Sequence, residues 1–264
     1  MPTAPDALTT PSPQRELATG PKSVSDVVAQ ATALTASYGA ELTSLLKSLR
    51  ALGGFEQIVT LANGAPAAVA KLPEVRELLG FSQNRLGQHA EAEQTLSSLF
   101  AEAPTGERAG LLARVFKDQY AEATHAERWV RARGFLRRAI DAYLAGFALD
   151  RTDPYCGVNA LTLMEALDTE DPQRAELLEQ VRKATKPRHT TFWDHAAALE
   201  LAVVDSDARN AEIALECCEA SGAEKWAPLS TARTLSMIAR ARAAKGQDAA
   251  WIRPFVERLI ELAS

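Results

Sequence analysis

The chain has 264 residues, 47% of them hydrophobic and 24% charged, with a formal net charge of −5. That balance fits a folded soluble protein, and the acidic total excludes a global attraction to nucleic acid or to an anionic membrane. No run approaches the roughly 20 apolar residues of a membrane span.

The expected elements run as follows. Residues 1–22 hold Pro2, Pro5, Pro11, Pro13 and Pro21 among Ser, Thr and Ala, a composition that buries too little apolar surface to offset ordering entropy. They are expected to form a disordered tail before a single helical domain over 23–263. The tail lacks the basic and apolar regions of a secretory signal. Val24, Val27, Val28, Ala31 and Leu34 recur at helical spacing, with Gly39 as the expected break. Leu42, Leu45, Leu46, Leu49 and Leu52 mark a second helix, and Gly53-Gly54 is its stop. A return helix is expected over 55–62, ended by Asn63-Gly64. A hairpin follows over 73–104, turning at Gly87. Helices are then expected over 110–124 and 126–149, with an extended loop in that repeat, and over 155–167 and 175–184, with a polar loop between. The last two hairpins cover 191–204 with 208–220, and 226–245 with 249–263. Pro254 falls in a first helical turn, where proline is tolerated. No stretch alternates as a strand would.

Within 73–104, Leu79-Gly80, Ala92, Leu96 and Pro104 fall where the tetratricopeptide repeat has its L-G pair, small residue, large apolar residue and closing proline. Arg76 and Gln83 stand where that repeat has Trp and Tyr. Ala139 and Tyr143, followed by Asp153-Pro154, repeat the second half of the pattern. The resemblance implies an all-α, tetratricopeptide-like solenoid of about six helical hairpins in a right-handed superhelix. Such units stack because none can bury its apolar face alone.

A wider resemblance covers roughly residues 73–245. Lys117-Asp118, the run from Ala139 to Phe147, Gly157-Val158-Asn159-Ala160 with Thr162-Leu163, Phe192-Trp193 with Ala196 to Glu200, and Thr231-Ala232-Arg233 carry it. Together they resemble the TRAF-binding region of apoptosis signal-regulating kinases and its bacterial relatives. That family binds other proteins, and its bacterial members are associated with stress or conflict signalling. No Gly-rich phosphate loop, H-R-D or D-F-G is present, so kinase activity is not implied.

No catalytic or metal constellation emerges. Cys156, Cys217 and Cys218 lack metal-site spacing and read as reduced thiols of a cytoplasmic protein. His89, His125, His189 and His195 stand outside any ligand motif, and Asp194-His195 are adjacent on a helix, about 100° apart. Arg128, Arg131, Arg133, Arg137 and Arg138 read as a solvated face, or as a docking site for an acidic partner. Counting repeat positions places Phe81, Asn84, Arg85, Arg114, Lys117, Asp118, Tyr155, Thr162 and Glu165 on the concave groove. There Arg85, Arg114 and Lys117 would receive a carboxylate or phosphate.

The expected function is a non-catalytic protein-binding scaffold or regulatory adaptor without a cofactor. Its partner is a protein, and neither membrane nor nucleic acid is expected. The alternative is a helical sensor of a small nucleotide-like ligand, or a helical enzyme, either of which needs a closed pocket with converging polar groups.

Overall fold

A computed structural model describes residues 23–25, 39–167, 170–185, 191–223 and 226–264. The proline-rich segment 1–22 and nearly all of the helix expected before Gly39 lie outside them.

The first hairpin pairs α1 (Gly39–Ala51) with α2 (Phe55–Gly64), and a single turn, α3 (Ala67–Ala70), follows. The next is α4 (Pro73–Arg85) with α5 (His89–Glu102), then the long pair α6 (Gly106–His125) and α7 (Trp129–Leu149). After these come α8 (Pro154–Met164) with α9 (Arg174–Ala184), α10 (Phe192–Val204) with α11 (Ala208–Ala220), and α12 (Trp226–Ala244) with α13 (Arg253–Leu262). Among the described residues there is no strand. The architecture is an all-α solenoid of stacked hairpins.

The ends of these helices are set by local chemistry. Thr105, Asp153 and Asp207 each accept a hydrogen bond from a first-turn backbone N–H. Thr191 and Asp194 form a reciprocal capping box at α10. Gly87 and Gly246 take positive φ values of 74° and 71° to reverse the chain, a conformation that costs glycine little.

Several expectations are corrected. α2 runs through Asn63-Gly64, and α6 starts at Gly106 because Thr105 caps it. The extended loop expected between α6 and α7 is only the turn at 126–128, made tight by Glu127 at φ 54°.

The hairpin α4–α5 shows why the repeat tolerates its departures. Arg76, at the usual tryptophan position, donates to Glu102 at 2.5 Å and to Ser98 at 2.9 Å across the hairpin. Gln83, at the usual tyrosine position, accepts from the Thr95 hydroxyl at 3.0 Å. Polar bridges thus stand in for ring packing. Gly80 lies so close to α5 that a Cβ there would sit 2.5 Å from Leu96 Cγ. Gly80→Leu is therefore expected to destabilise the fold by about 1–3 kcal/mol or more, through overpacking. Urea denaturation measures this, and an unchanged midpoint would refute the close contact.

Two apolar clusters hold the solenoid. One joins Leu46, Leu49, Ile58, Ala62, Val69, Val75 and Leu78 around the first hairpin. The other runs from Ala92 to Leu259 through the remaining hairpins. The far end is tied by a buried polar knot just beyond α8. Glu165 accepts from Arg242 at 3.0 Å and from Arg174 at 2.8 Å, and its backbone carbonyl accepts from Lys245 at 2.6 Å. Arg242 also reaches the Val204 carbonyl at 2.9 Å. Burial would push the Glu165 carboxyl up, but the bonds and charges of Arg242 and Arg174 hold it below the usual carboxylate range.

Candidate functional site: the concave cavity

The first helices of successive hairpins border an open cavity of about 1210 Å³. Lys47 and Arg50 reach it from α1, Leu78 and Phe81 from α4, Leu111 and Arg114 from α6, Tyr155 from α8, Phe192 and Trp193 from α10, and Trp226 from α12. Its walls are aromatic and its charges are ordered. Glu74 and Glu107, both exposed, come from the first turns of α4 and α6, and nearby Glu77 is paired with Arg108 at 2.7 Å. Farther along the same helices stand Arg85 and Arg114.

Phe81 packs edge-on against Phe55, ring centroids 5.9 Å apart, with the Arg50 guanidinium 4.4 Å above its own centroid. Arg85 lies 5.7 Å from the Phe55 ring centroid, so two cations cover one aromatic pair. Burial lowers the Arg85 pKa, and the like charges of Arg114, Arg233 and Arg50 lower it further against the pull of Asp118. Asp118 is itself engaged, accepting from the Asn84 amide at 2.6 Å, and Asn84 Oδ1 lies 2.8 Å from His89 Nδ1. On the opposite wall Trp193 and Trp226 lie 5.4 Å apart, and Trp193 is 42% exposed.

A smaller polar hollow of about 30 Å³, large enough to hold water, shares Arg114, Tyr155 and Trp193 with the main cavity. It also meets Lys117, Asn159, Glu200 and Thr234. Lys117 donates to Thr234 at 3.0 Å and to Asn159 at 3.4 Å, while Arg114 reaches Ser230 at 3.4 Å. Burial pushes the Glu200 carboxyl up to about 7, against the opposing pulls of Lys117, the Thr234 hydroxyl and Arg114. Burial likewise lowers the Lys117 ammonium, with Glu200 opposing.

The residues counted inward from sequence therefore divide. Phe81, Arg114 and Tyr155 line the main cavity. Asn84, Arg85 and Asp118 stand in the polar and cationic group beside it. Lys117 lies at the smaller hollow, beneath α12, rather than on a free surface. Thr162 and Glu165 do not reach the groove. Thr162 is fully buried, donating to the Asn159 carbonyl at 2.9 Å, and Glu165 belongs to the knot with Arg242. The reason is that α8 has almost no solvated face: Cys156, Gly157, Val158 and 160–164 are all buried. Sequence reasoning missed Arg50, Trp193, Glu200, Trp226 and Thr234. A signal was present, since Tyr155, Trp193 and Trp226 each stand in the first turn of the first helix of a hairpin.

Stacked helical hairpins around an aromatic, arginine-bearing concavity define a tetratricopeptide-type solenoid. It is similar to a solved thermophilic TPR protein, TTC0263 from Thermus thermophilus. The match has 19% identity and a TM-score of 0.54, and covers 76% of this chain and 98% of that one. The family described as MAP3K TRAFs-binding domain matches residues 28–253, and the chain belongs to that family. No curated protein matches significantly. Among the described residues, no helix is long and apolar enough to cross a membrane.

Proposed function

We propose that this protein is a non-catalytic binding scaffold that receives a segment of a protein partner on its concave face. The observation that carries the reading is the cavity of about 1210 Å³, lined by helices from the first five of the paired hairpins in order and from the last. It exceeds the roughly 300–1,000 Å³ typical of small-molecule pockets and suits a length of chain. Membership of a family described by its TRAF binding supports a protein as the occupant. The proposal extends to a cytoplasmic place in a bacterial stress or conflict signalling module, in line with the resemblance and with the free thiols.

Charge reversal tests it. Arg50→Glu with Arg85→Glu, two exposed guanidiniums, is expected to reduce capture of the native partner tenfold or more while far-ultraviolet circular dichroism stays helical. Lys117 is left intact because reversing a buried ammonium would unfold the chain rather than probe a surface. Undiminished capture moves the interface off the concave face. Turnover of any nucleotide by the purified protein would overturn the scaffold reading.

A further inference from the structure

This inference rests on the protein-binding reading of the concave face and names the chemistry of the segment it takes. Arg50, Arg85, Arg114 and Arg233 come from four different hairpins, the first three and the last, and so from both ends of the described solenoid. Arg50 and Arg85 are fixed by their contacts with Phe81 and Phe55, and Arg114 lines the cavity beside them. Among the described residues none of the four forms an ion pair, whereas Arg76, Arg108, Arg137, Arg138, Arg174, Arg182, Arg242, Arg253 and Arg258 all do. Gathering like charges costs free energy unless something compensates it. Asp118 offsets part of the charge of Arg85 and, with Glu200, part of that of Arg114, which leaves one nearby carboxylate, Asp118, shared among several guanidiniums at the Arg85 side of the group.

A side-chain carboxylate brings one charge. A phosphomonoester brings about −1.5 to −2 and three strong acceptor oxygens, which match several planar guanidinium forks. The opposite end of the groove is acidic, with Glu74 on α4 and Glu107 on α6, both exposed. From Glu107 to Arg114, and from Glu74 to Arg85, the helix rise gives about 10–16 Å. An extended chain covers that distance in about three to five residues. Phe81 lies between Glu74 and Arg85 on α4, and Trp193 and Trp226 line the same cavity, apolar surface for an intervening side chain.

We propose that the groove reads an extended peptide segment carrying a phosphorylated side chain, seated on the arginine group, and a basic residue about three to five positions away, seated at Glu74 and Glu107.

The test uses two immobilised pools of short degenerate peptides that differ only in a central phosphothreonine or threonine. The full chain is expected to be retained at least about tenfold better by the phosphorylated pool, and sequencing of the bound peptides is expected to show Lys or Arg enriched at the stated spacing. Arg85→Gln with Arg233→Gln, two exposed guanidiniums, is expected to abolish the preference with the helical spectrum intact. Arg114→Lys, which keeps the charge and loses the fork, is expected to weaken it. Glu74→Gln with Glu107→Gln is expected to keep the phosphate preference and lose the basic enrichment. Equal retention of the two pools overturns the inference, and if the native partner is still captured, the scaffold reading stands without it. A thermal shift with adenosine triphosphate, with neither pool retained, overturns it in favour of a small phosphate-bearing ligand.

Discussion

Replacing Arg242 with alanine is expected to lower the unfolding free energy by about 3–5 kcal/mol, the cost of leaving one member of a buried ion pair uncompensated. Arg242 is only 5% exposed and Glu165 only 8%, so solvent cannot take over the lost bonds. The loss is large beside a total stability of about 5–15 kcal/mol. It has two parts: a carboxylate deprived of its main partner, and a Val204 carbonyl at the end of α10 left without its donor. Arg174 remains on Glu165, so the carboxylate is not wholly abandoned, and the lower half of the range is expected. Urea denaturation measures the effect. A loss below about 1 kcal/mol would mean that the knot behaves as a surface pair. Removing both partners, as Glu165→Gln with Arg242→Met, is expected to cost less than the single truncation, because no charge is stranded.

The second large effect is a pH dependence centred on Glu200. Its folded-state carboxyl titrates near 7, raised by burial, against 4.5 for the ordinary group. The folded protein therefore keeps a proton that the unfolded chain releases. Below about pH 4.5 both states hold it and the full contribution is present, and as pH rises through 7 the contribution is lost. Stability is expected to fall with increasing pH across that window, by a total of about 3 kcal/mol. Lys117 has the opposite sign: its lowered pKa makes stability rise with pH, at values approaching the ordinary ammonium range. Asp118 and Arg114 also act on Lys117, so the two titrations share one polar neighbourhood. Thermal melts at pH 5.5 and pH 8, compared with those of Glu200→Gln, isolate the carboxyl. A variant with the same pH slope as the parent would refute the assignment.

Much of this fold is legible in local chemistry. The helix Ala208–Ala220 is found at the bounds expected for it, with Asp207 capping its first turn. Gly80, Ala92 and Leu96 announce the close contact of α4 and α5 by size alone. The short α3 escapes because four residues carry no period. Repeat counting misplaces Thr162 and Glu165 because it assumes that every first helix has a solvated stripe, and α8 has nearly none. It also puts Lys117 on the groove, but the cover of Lys117 is Thr234, 117 positions away. That contact depends on the curvature of the whole solenoid, which no local pattern encodes. Arg50 and Trp226 escape for the same reason, since they meet only when the two ends of the array face one cavity.

The separate core of the first hairpin has a consequence for how such a protein diversifies. Lys47 and Arg50 ride on a unit whose apolar cluster, Leu46 and Leu49 with Ile58 and Ala62, is closed by Val75 and Leu78 of α4 and does not extend beyond that helix. One wall of the groove is thereby exchangeable. A lineage can replace that hairpin, and with it the residues that α1 offers a guest, while the hydrophobic continuum from Ala92 to Leu259 carries on holding the other walls in place.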